Sequence, residues 1–268
     1  MQPATRLARF RDGGRTFYAL LLDDDRAREI RGDPFSGDPA SRAARDAAEE
    51  TRPIASWEWL TPCVPSKIIG VGRNYLDHAA ELGHVAPREP LLFLKPPSSL
   101  LPSGGTILLP ADSRRVDFEG ELGVVIGREA RNVSEARALE HVLGYTCVND
   151  VTARDLQATD VQFSRAKGFD TFCPCGPCIA IGLRPDGLVV ETYVNGTRRQ
   201  SSPVSSMIFG IARLVSYVSR VMTLRPGDLI ATGTPEGVGP LAPGDEVTVS
   251  IDGIGRLSNR VSADPPTP

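Results

Sequence analysis

Short apolar runs separated by glycine and proline recur along most of this chain. The runs are KIIGVG, PLLFLK, TILLP, ELGVVIG, GYTCVND, CIAIGL, VVETYVNG, DLIATG and EVTVSIDG. Aliphatic and β-branched residues bounded by turn residues are typical of strands. Because strands outnumber helices and do not alternate regularly with them, a parallel βαβ fold is disfavoured. The pattern predicts a β-rich α+β fold of the mixed sandwich or roll type.

Three segments show helical spacing instead. NYLDHAAELG predicts a helix closed by Gly83, and ARDLQ predicts a second, short helix. Within 207–224, apolar side chains recur three and four residues apart, which predicts a helix packed on the sheet. These side chains are Ile208, Ile211, Leu214, Val215, Val218, Val221 and Met222.

The first 60 residues differ from the remainder. RFRDGGRTFYALLLDD predicts a hairpin around its D-G-G turn, whereas SRAARDAAEETRP is charged and rich in alanine. TPCVPSKIIGVG then begins the strand-rich part. We therefore predict a small N-terminal β-rich domain or arm at residues 1–60 and a main domain at residues 61–268.

Composition narrows the classes of partner. The 268 residues can bury a core without disulfides, and the net charge of −3 gives no general basic field for nucleic acid. No apolar run approaches the roughly 20 residues of a membrane span, and MQPATRLARFRDGG lacks the apolar segment of a signal peptide. We expect a cytoplasmic protein that binds a small molecule and neither nucleic acid nor membrane.

Five cysteines, three of them in CPCGPC, raise the question of a metal–thiolate site. An odd number without an export signal argues against a disulfide framework. Cys173, Cys175 and Cys178 could bind zinc or an iron–sulfur cluster if Cys63 or Cys147 supplied a fourth thiolate. No second C-x-x-C and no histidine lies at a usual spacing, which favours packing of these thiols as small apolar groups.

Two glycine-rich segments lack the features of nucleotide-binding loops. GVGRNY begins like a dinucleotide fingerprint, but Tyr75 stands where a glycine is required. ATGTPEGVG lacks the Gly-Lys-Ser/Thr of a P-loop. Nucleotide binding is therefore disfavoured.

VDFEGELGVVIG carries Asp117, Glu119 and Glu121 at a spacing of two. In a strand, such residues point to one face, so these acids should repel each other unless they face water or bind a cation. Asp150, at the end of GYTCVND, would complete a set of oxygen ligands suited to Mg²⁺, Mn²⁺ or Ca²⁺. A solvated acidic face is the open alternative, and Asp117 either supports the site or faces water.

His78 and Glu81 lie three residues apart on a predicted helix and so share a face. A carboxylate beside an imidazole raises its basicity, which suits a general base. Lys167, in SRAKGFDTF, would be a cationic partner for an enolate or a substrate carboxylate, or else a surface lysine.

Taken together and in order, these segments resemble the fumarylacetoacetate hydrolase family. The matching segments are GVGRNYLDHAAELG, LLFLKPPSSLL, VDFEGELGVVIG, GYTCVNDVTARDLQ, RAKGFDTFCPCGP and DLIATGTPEGVGPLAPGD. The resemblance implies a β-rich catalytic domain, usually a homodimer, with Mg²⁺ or Mn²⁺ held by Glu119, Glu121 and Asp150. A divalent cation would then neutralise the clustered acids.

The resemblance also implies roles for other residues. His78 and Glu81 would form the catalytic pair on a segment that acts as a mobile lid, and Lys167 would be the cationic catalytic residue. Positions that match substrate contacts or the outer shell of the metal are Arg73, Gln157, Thr171 and Thr234. Cys175 and Cys178 depart from the larger apolar residues of many relatives, which supports core packing for both.

Members of this family act on 2-oxo and 2,4-dioxo acids, which can chelate a cation through a carboxylate and the neighbouring keto oxygen. The resemblance implies cleavage of a C–C bond through a metal-stabilised enolate, by an acylpyruvate-type hydrolase or an oxaloacetate-type decarboxylase. One alternative is a 2-hydroxyhepta-2,4-diene-1,7-dioate isomerase or another 2-oxo acid tautomerase. A non-catalytic small-molecule binding protein is the other, and the metal ligands alone do not distinguish the reactions.

Overall fold

The computed structural model describes residues 4–36, 48–81 and 85–264. Strands are β1 Thr5–Asp12, β2 Arg15–Leu21, β3 Arg26–Ile30, β4 Arg52–Pro53, β5 Glu58–Leu60, β6 Ile68–Gly72, β7 Leu91–Lys95, β8 Leu100–Leu101, β9 Thr106–Leu109, β10 Val116–Phe118, β11 Gly120–Ile126, β12 Val142–Asn149, β13 Thr152–Ala153, β14 Cys173–Ile181, β15 Val189–Val194, β16 Thr197–Pro203, β17 Leu229–Ala231, β18 Gly239–Pro240, β19 Glu246–Ile251 and β20 Gly255–Ala263. Helices are α1 Leu76–Glu81, α2 Glu135–Ala138, α3 Arg154–Thr159, α4 Ser164–Gly168 and α5 Ile211–Val221.

Three sheets organise these strands. The largest has the order β4-β3-β2-β1-β14-β12-β11-β17-β6-β7, with β5 and β8 pairing to its side. A second sheet has the order β16-β15-β19-β20-β9, and a small third sheet has the order β13-β10-β18. Most neighbours are antiparallel, but three pairs run parallel: β6 with β17, β8 with β14 and β9 with β20. This architecture confirms the predicted β-rich α+β class.

The two larger sheets pack closely where β11 begins. A Cβ atom on Gly120 would lie 1.9 Å from the Thr192 hydroxyl oxygen on β15, so only glycine allows this approach. Beyond that point the apolar side chains of Leu122 and Val124 join those of Val190 and others in one buried cluster. Each such fully buried aliphatic side chain contributes about 1.5–3 kcal/mol relative to an exposed one.

The N-terminal hairpin is confirmed. β1 and β2 pair along their length around Gly13 and Gly14, both of which have positive φ, as a tight hairpin turn requires. β1 also pairs with β14, from Thr5 opposite Ile181, so the N-terminal strands extend the large sheet. The boundary at residue 60 stays a prediction, and residues 41–47 of the alanine-rich segment lie outside the described residues.

The helix predicted over 207–224 begins later than expected. Helix α5 starts at Ile211, because the backbone N–H of Ile208 donates to the carbonyl of Asn74 at 2.7 Å and ties the preceding segment to another loop. Val221 is also wrong as a buried position, since it is 59% exposed. The buried face is confirmed at Leu214, Val215 and Val218.

The other two predicted helices are present, the first of them in shorter form. NYLDHAAELG folds as α1, but Gly83, its predicted last residue, lies outside the described ranges. The ARDLQ segment forms α3. Within residues 4–36, 48–81 and 85–264, no helix is both long and apolar enough to cross a membrane.

Candidate metal and catalytic site

Glu119, Glu121 and Asp150 form one buried cluster. Their carboxylate oxygens lie within 4.8 Å of one another, and none of the three residues is more than 4% exposed. This burial rules out the alternative of a solvated acidic face. Asp117 does not join them: Glu119 interrupts the strand, and Asp117 pairs with Thr152 in the small sheet. Two of the three acids of VDFEGELGVVIG therefore belong to the cluster, and Asp117, which is fully buried, lies outside it and does not face water.

Backbone contacts fix the cluster at the ends of β11 and β12. Gly120 lies opposite Asn149 in the antiparallel register. The Asn149 side-chain oxygen accepts from the Glu119 N–H at 2.9 Å, and the Asp150 N–H donates to the Glu119 carbonyl at 2.8 Å. The sheet edge thus brings together acids that are distant in sequence.

Glu121 is held by a glycine amide. The N–H of Gly233 donates to Glu121 Oε2 at 2.8 Å, the only hydrogen bond to this carboxylate from the described part of the chain. Gly233 has a φ of +100°, and a Cβ atom there would lie 2.7 Å from Asn74 Cβ. Burial, Asp150 and Glu119 raise the pKa of Glu121 well above its ordinary value.

Two buried lysines face the acids. Lys167 Nζ donates to Glu119 Oε2 and to the Thr152 hydroxyl, each at 2.9 Å, and to Asp150 Oδ2. Lys95, which the sequence analysis missed, places Nζ 2.6 Å from Asp150 Oδ1 and donates to the Lys167 carbonyl. Burial lowers the pKa of Lys167, but Asp150 and Glu119 outweigh it and raise the pKa above its ordinary value. Lys167 is therefore a buried ammonium group, and the surface-lysine alternative is wrong.

Arg154, also missed, links the acids to Asp117. Its Nη2 lies 2.5 Å from Glu119 Oε1, and its Nε donates to Asp117 Oδ2 at 2.9 Å. Its Nη1 donates to Gln157 Oε1 at 2.9 Å. Burial raises the pKa of Glu119, but cationic neighbours outweigh it and hold the pKa below its usual range. Asp117 thus supports the cluster indirectly, by holding Arg154 against Glu119.

His78 and Glu81 are neighbours on α1. His78 Nδ1 lies 3.4 Å from Glu81 Oε2, and His78 is only 4% exposed. Glu81 is more exposed and also accepts from the Gly237 N–H at 3.2 Å. The shared face matches the spacing argument, and it leaves His78 Nε2 as the ring nitrogen available to a ligand.

A cavity of about 430 Å³ lies over the acid cluster. Its lining residues are Val71, Gly72, Arg73, His78, Leu91, Phe93, Glu119, Glu121, Asp150, Arg154, Gln157, Ala158, Phe163, Lys167 and Thr234. Thr171 does not line it, and its hydroxyl accepts from the Leu108 N–H at 2.9 Å. The Thr234 hydroxyl donates to the Gly120 carbonyl at 2.9 Å. The substrate-contact roles of Thr171 and Thr234 stay predictions.

Several residues of the site had weak signals in the sequence. Lys95 ends the apolar run LLFLK, and Arg154 stands four residues after Asp150. Phe93 and Phe163 meet edge to face with ring centroids 5.8 Å apart, and Lys167 Nζ lies 4.9 Å from the Phe93 centroid. From the sequence, such cationic residues can be identified as partners of the acids only when the acids are already known to be buried.

The donor set fits a hard divalent cation. Three clustered carboxylates supply only oxygen atoms, as Mg²⁺ and Mn²⁺ prefer. Asp150 Oδ1 is buried and lacks a well-aligned hydrogen bond, although Lys95 lies near. In the part of the chain that the structure describes, no other group of three or more His, Cys, Asp or Glu side chains could hold a metal. All five cysteines are buried free thiols, which supports their packing role.

Comparison with known proteins agrees with this geometry. Residues 67–262 match the family described as "Fumarylacetoacetate (FAA) hydrolase C-terminal", and residues 5–62 match "Rv2993c-like, N-terminal". Oxaloacetate tautomerase YisK of Bacillus subtilis is 46% identical over 74% of this chain and 70% of that protein.

Two solved structures are similar over nearly the whole chain. The 5-carboxymethyl-2-hydroxymuconate delta-isomerase from Mycobacterium smegmatis is 44% identical, with a TM-score of 0.88, over 97% of this chain and 100% of that one. The 2-hydroxyhepta-2,4-diene-1,7-dioate isomerase from Mycobacterium marinum is 41% identical, with a TM-score of 0.88, over 98% and 100%. The match in sequence and in fold means that this chain belongs to the fumarylacetoacetate hydrolase family of enzymes.

Proposed function

We propose that this enzyme uses Mg²⁺ or Mn²⁺ to move a proton between carbon and oxygen of a short 2-oxo acid, as an oxaloacetate-type tautomerase. The observation that carries the proposal is the meeting of three buried carboxylates, His78 and Lys167 in one cavity. The names of the tautomerase and isomerase relatives support proton transfer as the first candidate reaction.

Glu119, Glu121 and Asp150 would hold the ion. When bound, the ion supplies a Lewis acid that withdraws electron density from the keto oxygen of a 2-oxo acid. Both Mg²⁺ and Mn²⁺ suit this all-oxygen donor set.

Two side chains would orient the substrate. The buried ammonium of Lys167 offers a positive charge to the substrate carboxylate or to the oxygen on which negative charge develops. Arg154 can only donate, so the oxygen of the Gln157 amide faces it. The amide N–H₂ has no hydrogen-bond partner among the described residues and would donate to the substrate. The rings of Phe93 and Phe163 form an apolar wall that excludes water.

His78 would act as the general base. With Nδ1–H directed at Glu81, the lone pair of Nε2 can take a proton from the carbon next to the keto group. Glu81 fixes this ring tautomer and stabilises the imidazolium that forms. Return of the proton from Nε2 to the oxygen completes the keto-to-enol direction, and the reverse sequence gives the keto form.

Cleavage of a C–C bond is the second candidate. The same His78–Glu81 pair suits activation of a water molecule, which hydrolysis of an acylpyruvate requires. Decarboxylation of oxaloacetate needs chiefly the withdrawal of electrons from the keto oxygen. The products separate these reactions, because tautomerisation leaves the carbon skeleton intact.

The test begins with enol oxaloacetate and the purified full chain in the presence of Mg²⁺ or Mn²⁺. We expect accelerated loss of enol absorbance without matching formation of pyruvate, and a rate reduced on the order of 100-fold or more by EDTA and restored by either ion. His78→Ala should lower kcat by about 10²–10⁴-fold without weakening oxalate binding. His141→Ala, outside the cavity, is the matched control. Full activity of a verified metal-free preparation would contradict the proposal, whereas stoichiometric pyruvate would favour the second candidate.

We also propose the homodimer that the family resemblance implies. Strand β7 is an edge strand of the large sheet and exposes Leu91 and Leu94, which gives the chain an apolar edge to cover. Light scattering on a size-exclusion column measures the mass directly, and a mass of one chain at micromolar concentration would refute the dimer.

A further inference from the structure

We infer that Arg73 recognises a second, distal carboxylate and so makes the enzyme selective for 2-oxo dicarboxylates over 2-oxo monocarboxylates. This inference rests on the proposed function, in which the 2-oxo acid end of the substrate lies at the acid cluster. Its basis is the distribution of charge and partners along the cavity wall.

The other cations near the acid cluster are already paired. Lys167 and Lys95 contact Asp150, and Arg154 contacts both Glu119 and Asp117. Arg73 lines the same cavity but has no hydrogen bond or ion pair with any residue in the described ranges. A partly buried guanidinium group carries five N–H donors whose fork matches a carboxylate, so the unpaired charge calls for an anionic partner from outside the chain.

The backbone at Arg73, a residue that lines the cavity, is held in an unusual conformation. Arg73 has a φ of +57°, which is uncommon for a long side chain. The next residue, Asn74, is fully buried, donates to the Phe209 and Thr232 carbonyls, and accepts from the Phe209 N–H. After it, Tyr75 pairs with Met207. These contacts hold the turn in place from several sides. An unfavourable φ persists at a functional position only when the surrounding structure fixes it in this way.

Arg73 and the acids occupy different depths of the cavity. The acids are nearly inaccessible to solvent, whereas Arg73 and Leu91, which line the same cavity, are partly exposed. Arg73 follows β6 and Thr234 follows β17, which runs parallel to β6, so both residues lie at the same edge of the sheet. A cation site at the floor and a guanidinium group nearer the opening suit a short acid with a carboxylate at each end.

Three variants test the role of Arg73. Arg73→Asn removes the charge with a residue that tolerates positive φ, and Arg73→Lys keeps the charge without the fork. Arg184→Asn removes a charge whose side chain is 78% exposed and lies outside this cavity, so it serves as the matched control. Circular dichroism and thermal unfolding establish that each variant is folded.

The kinetic comparison uses oxaloacetate and its 4-methyl ester, in which one methyl group removes the distal charge. We expect Arg73→Asn to lower kcat/KM for oxaloacetate by about 10-fold or more and to change that for the ester by no more than about twofold. Arg73→Lys should retain part of the parent's preference for oxaloacetate over the ester, and Arg184→Asn should retain all of it. An unchanged preference in folded Arg73→Asn would overturn the inference.

A binding measurement separates this inference from the proposed reaction. L-malate and L-lactate share a 2-hydroxy acid end, cannot enolise, and differ in the distal carboxylate. With Mn²⁺ present, malate should raise the Tm of the parent more than lactate does, and Arg73→Asn should lose this difference while Arg184→Asn keeps it. Suppose that the parent turns over no 2-oxo acid, yet prefers malate to lactate, and that Arg73→Asn loses this preference. The proposed function then fails and the role of Arg73 stands. No malate preference in the parent, or one kept by Arg73→Asn, overturns the role of Arg73.

Discussion

Two buried carboxylates in this molecule, Asp228 and Glu121, differ in how many hydrogen bonds their surroundings donate to them. Asp228 is fully buried and accepts at Oδ1 from the Ser66 N–H at 2.9 Å, the Ser66 hydroxyl at 2.7 Å and the Lys67 N–H at 3.2 Å. Its Oδ2 accepts from the Arg225 N–H at 2.8 Å and from Lys67 Nζ. The chain itself therefore satisfies this carboxylate completely.

Glu121 is equally buried but accepts one hydrogen bond from the described residues, that of Gly233, and it faces two other acids. A carboxylate that the chain saturates stabilises the fold, here by joining the segment before β6 to the turn before β17. A carboxylate left with free lone pairs beside like charges is suited to a ligand that arrives from outside. Burial alone does not distinguish the two roles, but the count of donors does.

The largest change in stability should come from Asp228→Asn. An amide group would turn an N–H₂ toward donors that now meet an oxygen, so we expect the free energy of unfolding to fall by about 2–4 kcal/mol. Because Asp228 is not part of the acid cluster, Mn²⁺ affinity should stay within about twofold of the parent. Urea unfolding and metal titration measure the two quantities, and a selective loss of metal affinity would break the comparison.

Glu121→Gln should have the opposite pattern. Loss of one charged ligand should weaken Mg²⁺ or Mn²⁺ binding by about 10–100-fold, whereas the metal-free protein should melt a few degrees higher than the parent. Glu246→Gln, at an exposed position, is the charge-matched control. Calorimetric titration and thermal unfolding with EDTA provide the measurements.

The gain in stability of metal-free Glu121→Gln over the metal-free parent should depend on pH. The pKa of Glu121 in the metal-free fold is raised above its unfolded value, so its contribution to stability is fully present below that unfolded value and is lost as pH rises through the folded pKa. The advantage of Glu121→Gln should therefore grow as pH increases. A metal-free variant that is less stable than the parent at pH 8 would show that this carboxylate is satisfied in a way resembling Asp228.

A smaller effect is expected from two cysteines of CPCGPC, Cys175 and Cys178. Cys178 donates to the Ile254 carbonyl, and Cys175 is fully buried. Replacing Cys175 with Ala and Cys178 with Val together should cost on the order of 1–2 kcal/mol of stability and leave activity largely intact. Elemental analysis checks the interpretation, since stoichiometric zinc or iron that disappears in this variant would assign the thiols to a metal site.

The sequence motifs and the named relatives favour different candidate reactions. The motifs placed C–C cleavage first, because a His-x-x-Glu pair suits an activated water. The relatives whose names state a reaction include a tautomerase and two isomerases, which moves proton transfer to first place in the proposal. The same residues suit both reactions, since in each an enolate forms and negative charge develops on the keto oxygen.

The sequence by itself determined the strand-rich class, the N-terminal hairpin and the family. The alternation of apolar and turn residues indicates local backbone structure, and several motifs in a fixed order indicate membership of a protein family. Spacing also predicted that His78 and Glu81 share a face, because the geometry of one helical turn is local.

Only the tertiary structure decided which charges meet. Asp117 lies outside the acid cluster and pairs with Arg154 instead, because the strand breaks at Glu119 and a spacing of two places side chains together only within one continuous strand. Lys95 and Arg154 became site residues because sheet pairing brings β7, β11 and the end of β12 together. The late start of α5 at Ile211 depends on a hydrogen bond to Asn74, far away in the chain. Contacts between distant segments depend on the register and packing of the sheets, which no local pattern contains.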